Sequence, residues 1–166
     1  MRHAERVFDG FTTHRIDAGA ASMFVRSGGD GPPVLLLHGH PRTSATWHRV
    51  APLLVRRGFT VICADLRGYG RSRGPAPTDD HSAHCKRATA GDLVAVMQAL
   101  GHDRFALAGH DRGSQVALRL TLDHPELVSR LALLDCIPIS EQLARADAEF
   151  ATRWWHRGWA RSVAPR

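Results

Sequence analysis

The stretch AGHDRGS, residues 108–114, sets an aspartate between two glycines where an apolar run gives way to a helical pattern. In Gly109-His110-Asp111-Arg112-Gly113 the small flanking residues permit a sharp strand-to-helix turn that lifts its central side chain above a sheet. The frame is that of a nucleophile elbow, G-x-S-x-G, with Asp111 in the serine's place. At a helix start, free backbone N–H groups and the helix dipole favour an ionised carboxylate. Such a carboxylate can attack carbon and leave an ester on the protein. The plain alternative is a helix cap, but a cap does not need paired glycines.

Asp135 closes the apolar run LALLD and is expected to end the next parallel strand, on the same sheet edge as Asp111. One carboxylate would then attack while the other orients a histidine, the division of labour in a catalytic triad. Capping of the turn at CIP is the alternative for Asp135. The segment HGHP, residues 38–41, fits an oxyanion loop. Its backbone N–H at His40, with that of Arg112, would face the charge that develops when an ester at Asp111 is hydrolysed. Asp65, in ADLRGYGRS, is expected to hydrogen-bond its own glycine-rich turn. That turn does not have the G-x-G-x-x-G spacing, and no GK[ST] phosphate loop is present. His81, His84 and Cys85 lie in a polar loop without a fourth ligand, so neither a metal nor another cofactor is expected.

The elements that must position these residues alternate along the chain. FTTHRIDAG and SMFVRSG read as exposed antiparallel strands, followed by a glycine-rich turn. PVLLLHG, TVICAD, RFALAGH and LALLDCI are continuous apolar runs, as strands covered on both faces would be. SATWHRVAPLLVRRG reads as a helix with Trp47, Val50, Leu53 and Leu54 on its apolar face. Residues 88–100 carry Leu93, Val96, Met97 and Leu100 at helical spacing, and a helix from Ser114 stops before Pro125. ISEQLARADAEFATRWWH reads as one more helix, opened by Ser140 with Glu141 in its first turn. Buried strands separated by helices imply an α/β fold, a mostly parallel, doubly wound sheet whose ligands bind beyond the strands' C-terminal ends.

Composition narrows the function classes. The chain has 166 residues, 43% hydrophobic and 23% charged, which suits one soluble domain. No apolar leader or membrane-length run is present, so the cytoplasm is the expected compartment. Cys63, Cys85 and Cys136 are odd in number and widely spaced, against a disulfide framework. The net charge of +6 comes mostly from Arg153, Arg157, Arg161 and Arg166 in RWWHRGWARSVAPR, with the body nearly balanced. Neither a nucleic-acid nor a membrane partner is expected from a tail of that kind.

Taken in order, HGHPRTSATWHRVAPLL, ADLRGYGRS, GHDRG and LDHPELVSRLALLDCIP resemble the α/β-hydrolase superfamily, and within it the fluoroacetate (haloacetate) dehalogenases. Epoxide hydrolases and haloalkane dehalogenases share the aspartate but commonly have Trp where this chain has Arg112. The resemblance implies an α/β-hydrolase fold and displacement of halide from a short halogenated carboxylic acid by Asp111. A histidine then activates water to hydrolyse the ester, without metal or cofactor. It implies further that Asp135 orients that histidine and that His40 and Arg112 supply oxyanion N–H groups. The Arg112 guanidinium would hold the substrate carboxylate, a planar fork matched to that anion. His156 would help bind the leaving halide.

Three departures qualify that expectation. Gln115 stands where the family commonly has a second carboxylate-binding Arg, and Arg157 follows His156 where it has Trp. The family's remaining cap, last sheet strands and catalytic histidine have no counterpart here. Residues 1–139 are therefore expected to form the N-terminal part of the core, 140–156 the start of a cap helix and 157–166 an atypical basic tail. The change from WWH to RGWARSVAPR reads as a shifted reading frame, with a natural short variant as the alternative. Little or no turnover is expected without the base. Rival readings are an epoxide or ester hydrolase, disfavoured by Tyr69 lying in a turn, and a non-catalytic remnant that binds a partner or pairs with itself as a homodimer.

Overall fold

The computed structural model describes residues 8–144 and 147. Its elements are β1 (Thr12–Asp17), β2 (Ser22–Gly28), β3 (Pro33–Leu37), α1 (Ala51–Arg56), β4 (Thr60–Ala64) and α2 (Lys86–Ala99), then β5 (Phe105–His110), α3 (Arg112–Asp123), β6 (Val128–Leu134) and α4 (Ile139–Ala144). The chain divides after Cys136 into two compact units, with β1 to β6 in the first and α4 in the second. His156 and the basic tail lie outside the described residues.

The six strands form one sheet in the order β1-β2-β4-β3-β5-β6. β1, β2 and β4 pair antiparallel, and β4, β3, β5 and β6 run parallel. Two-residue alternation sorts the apolar strand side chains between the faces. Leu35, Leu37, Ile62, Ala64, Phe105 and Leu107 pack with Leu93, Val96 and Met97 of α2 and Val116, Ala117 and Leu120 of α3. Leu36, Val61 and Cys63 face Phe8, Trp47 and Ala51 on the other side. Burial there pushes the Cys63 thiol up to about 12.

Three expectations change. β2 is buried from Met23 to Arg26 because it lies between β1 and β4, so only β1 is an exposed antiparallel strand. The helix expected over residues 44–58 is broken into a 3-10 turn, Ser44–Trp47, and the short α1, which leaves Val50 and Leu53 exposed. Pro52 is the cause: it lacks an N–H and fits only a first helical turn, so the helix restarts at Ala51. β6 is not covered on both faces. It forms the sheet's edge, with Ser129 through Leu134 exposed, because no described strand pairs with its outer side. α4 opens at Ile139 rather than Ser140, with Glu141 in its first turn.

No helix among the described residues is long and apolar enough to cross a membrane.

Candidate active site

The turn from β5 into α3 is as tight as its glycines suggest. Asp111 has φ +52° and ψ −117°, a conformation L-residues rarely adopt. A side chain at Gly109 would collide with the Gly113 carbonyl and sit 2.6 Å from the Ser114 nitrogen. One at Gly113 would lie 2.5 Å from the Leu37 carbonyl oxygen of the neighbouring strand. The strained aspartate is thus held by two points of backbone contact that admit only hydrogen.

Its carboxylate receives backbone donors. The His40 N–H donates to Asp111 Oδ1 at 2.9 Å, and the Arg112 N–H also bonds the carboxylate. Partial burial pushes the Asp111 carboxyl up, but these two N–H groups and the charges of His110 and Arg112 outweigh it. The net effect holds Asp111 below the ordinary carboxylate range. Among the roles expected from the sequence, His40 and Arg112 therefore meet at Asp111 through their backbones.

Asp135 ends β6 beside this turn. The Asp111 N–H donates to the Leu134 carbonyl at 3.1 Å, which sets the two aspartates on adjoining strand ends. Buried Ser114 reinforces the join, its hydroxyl donating to Gly109 O at 2.5 Å while accepting from the Leu134 N–H at 3.2 Å. Asp135 is itself 89% exposed and, at φ +51°, turns its carboxylate to 3.6 Å from His110 Nε2. The imidazole beside Asp135 is thus that of His110, its neighbour in the elbow, which is not the histidine the resemblance implies. Among the described residues, buried His110 Nδ1 has no hydrogen-bond partner.

Two residues join the site that sequence reasoning did not place there. The Tyr69 hydroxyl lies 3.1 Å from His40 Nδ1 and accepts from Arg112 Nη1 at 3.4 Å. The turn after β4 thus reaches the site instead of leading away from it. Lys86, at the start of α2, lies within electrostatic reach of Asp111, Arg112 and Cys136. A cation in a helix's first turn opposes the dipole, and that was the available sequence signal. Gln115 sits one turn into α3, half-buried, its backbone N–H directed at the Asp111 carbonyl at 3.4 Å. His156 lies outside the described residues.

Asp65 is structural, as expected. Its Oδ2 accepts the Arg71 N–H at 2.9 Å within the glycine-rich turn, and Oδ1 accepts that of Ser44 at 2.7 Å. Buried His38 accepts the Leu66 N–H at Nε2, 3.0 Å, and so donates from Nδ1 to Gly39 O at 2.9 Å. Among the described residues no three His, Cys, Asp or Glu side chains form a group that could hold a metal.

The α/β hydrolase fold family matches residues 32–165. The chain belongs to the α/β hydrolase fold family. It is 43% identical over 159 residues to a fluoroacetate dehalogenase from Burkholderia sp, covering 96% of this chain and 52% of that protein. A soluble epoxide hydrolase from Corynebacterium sp. is 37% identical over 138 residues, 83% of this chain and 43% of its own. The crystal structure of a Nostoc sp PCC 7120 protein, provisionally named an α/β hydrolase, superposes with a TM-score of 0.89 at 45% identity. That match covers 96% of this chain and 54% of that one. The α/β hydrolase described here spans about half the length of the curated relatives it matches.

Proposed function

We propose that Asp111 is the nucleophile, at a nucleophile elbow, of a hydrolase that opens a carbon–halogen bond in a short halogenated carboxylic acid. The observation that carries this reading is an ionised carboxylate held at positive φ between two glycines with backbone N–H groups upon it. An Asp111 oxygen forms a bond to the α-carbon as the carbon–halogen bond breaks, and halide leaves with the electron pair. The His40 and Arg112 N–H groups, already on the carboxylate, stay with the ester and face the oxyanion when water adds to it. The Arg112 guanidinium, steadied by Tyr69, receives the substrate carboxylate, and Gln115 supplies a neutral donor one turn on. His156 is the proposed halide contact.

The fluoroacetate dehalogenase among the relatives supports this substrate class. Hydrolysis of the ester needs a base to take a proton from water, oriented in our reading by Asp135. Two imidazoles flank Asp111: His40, whose Nδ1 is engaged by Tyr69, and His110, which faces Asp135. Among the described residues neither imidazole is hydrogen-bonded to the Asp111 carboxylate, so the 166-residue chain is proposed to accumulate the ester rather than turn over. Residues 1–139 would be the core portion, 140–156 the beginning of a cap and 157–166 a basic tail, in a cytoplasmic protein that pairs as a homodimer.

An epoxide substrate is the second reading. It is favoured by the Tyr69 hydroxyl beside Arg112, an acidic donor that could protonate an opening epoxide oxygen.

The test is intact mass and peptide mapping after incubation with chloroacetate, for the native chain and Asp111→Asn. A carboxymethyl adduct mapped to Asp111 and absent from the variant supports the proposal. Adducts on cysteine alone, with a folded protein, would overturn it.

A further inference from the structure

Lys86 is a cation in an unfavourable place. It is the first residue of the 14-residue α2, where the helix dipole is positive, and its side chain is half-buried. Arg112, a second cation, is close enough to disfavour its charge further. Among the described residues its ammonium has no hydrogen bond and no ion pair. By contrast, neighbouring Arg87 pairs with Asp123 at 3.1 Å.

The position is built rather than incidental. Arg67, in the turn after β4, forks onto Asp92 with two hydrogen bonds of 2.6 Å. Nη1 donates to the Ala83 carbonyl, and Nη2, already on Asp92, also reaches that of Ala88, on either side of Lys86. This clamp fixes the start of α2 at the strand ends where Asp111 stands. Burial first, and then Arg112, lower the Lys86 pKa, while Asp111 raises it. Half-buried Lys86 and exposed Arg112 beside one carboxylate leave positive charge unmatched, and a bound anion would supply the missing negative charge.

We propose that Lys86 is a specificity-determining residue that, with Arg112, binds the carboxylate of the substrate beside Asp111. The proposal deepens the functional reading above and rests on it. Arg112 supplies the planar fork, and Lys86 the point charge that uncharged Gln115 does not. Anionic substrates are then held with their α-carbon toward Asp111, and neutral analogues gain nothing from Lys86.

The experiment uses the full 166-residue chain, Lys86→Met and Lys86→Arg, with three probes. Acetate, which cannot alkylate, reports anion binding through NMR shifts. Chloroacetate and neutral chloroacetamide report alkylation of Asp111 by peptide mapping. Lys86→Met is expected to weaken acetate binding and slow chloroacetate alkylation by about tenfold each, as loss of one nearby charge would. Chloroacetamide alkylation should stay within about twofold, and Lys86→Arg should restore most of the loss. Equal slowing of both alkylations, or no change in either acetate binding or chloroacetate alkylation, would overturn the proposal. If Asp111 is alkylated by neither reagent, the functional reading fails by itself, and acetate still decides: binding lost in Lys86→Met keeps the anion site. Absence of acetate binding by the native chain removes it.

Discussion

The backbone N–H of His40 donates to the Asp111 carboxylate across 2.9 Å, from the loop after β3 to the turn after β5. Two strand ends are thereby joined at the atom proposed to attack. The approach is close: a side chain at Gly39 would lie 2.6 Å from Asp111 Cβ. The donor proposed to stabilise an oxyanion therefore already stabilises the anion that precedes the reaction. Charge can pass from carboxylate to oxyanion with little movement of the dipoles around it.

The first prediction concerns the turn itself. Gly113→Ala places a methyl group 2.5 Å from the Leu37 carbonyl, and backbone on both sides must shift. We expect about 3 kcal/mol of destabilisation in urea unfolding, as for overpacking of a tight core. Gly91→Ala, whose added carbon meets nothing within 4 Å, is the control and should not destabilise.

Tyr69→Phe tests the bridge between His40 and Arg112. The lost hydroxyl frees the guanidinium to move, with modest structural cost because the site is solvent-accessible. Chloroacetate alkylation of Asp111 should slow by roughly fivefold, while stability changes by about 1 kcal/mol or less. A drop in stability without slower alkylation would give Tyr69 a purely structural role.

The buried Arg67–Asp92 pair gives a third prediction. Both side chains are about 5% exposed or less, and two hydrogen bonds of 2.6 Å join them. Asp92→Leu alone leaves a guanidinium buried without its partner and should cost about 3–5 kcal/mol. The double variant Asp92→Leu/Arg67→Met should recover much of that loss in the same urea titration.

Much of this architecture was readable beforehand because its signals are local. Continuous apolar runs announced β3, β4 and β5, and the glycines around Asp111 announced the turn. What escaped depended on partners distant in sequence. β6 reads like the other buried strands, yet its exposure depends on being at the sheet's edge. Met23 to Arg26 lie in an alternating pattern but are covered because β2 pairs with β4 across 32 or more residues. Tyr69 and Lys86 sit in a turn and at a helix start that fold back onto the site through Arg67 and Asp65, two residues with no catalytic signature.

Acid sensitivity should come partly from His38. Burial lowers its pKa below 6.5, so the folded protein holds it neutral, accepting from Leu66 and donating to Gly39. The unfolded chain binds a proton near pH 6.5, the folded one only at lower pH. Stability from this group is therefore complete above pH 6.5 and is lost as pH falls through the folded value. His38→Gln should lose about 1–3 kcal/mol at pH 7 but show a shallower decline on acidification than the native chain. Parallel pH slopes for the two proteins would count against this assignment.

The exposed edge strand gives the last prediction. β1, the opposite edge, carries His14, Arg15 and Asp17, polar residues that discourage pairing with another chain. β6 presents Leu131, Leu133 and Leu134, each at least 36% exposed, beside backbone groups that no described strand pairs on its outer side. A seven-residue edge strand, apolar from Leu131 to Leu134, is long enough to template another strand. Sedimentation should therefore detect concentration-dependent association of the native chain. Leu131→Lys/Leu133→Lys sets a charge on the same face of each β6 edge and should shift the distribution to monomer. Because both positions are already exposed, the unfolding free energy should move by no more than about 1 kcal/mol. Association that persists in the double variant would place the contact elsewhere on the surface.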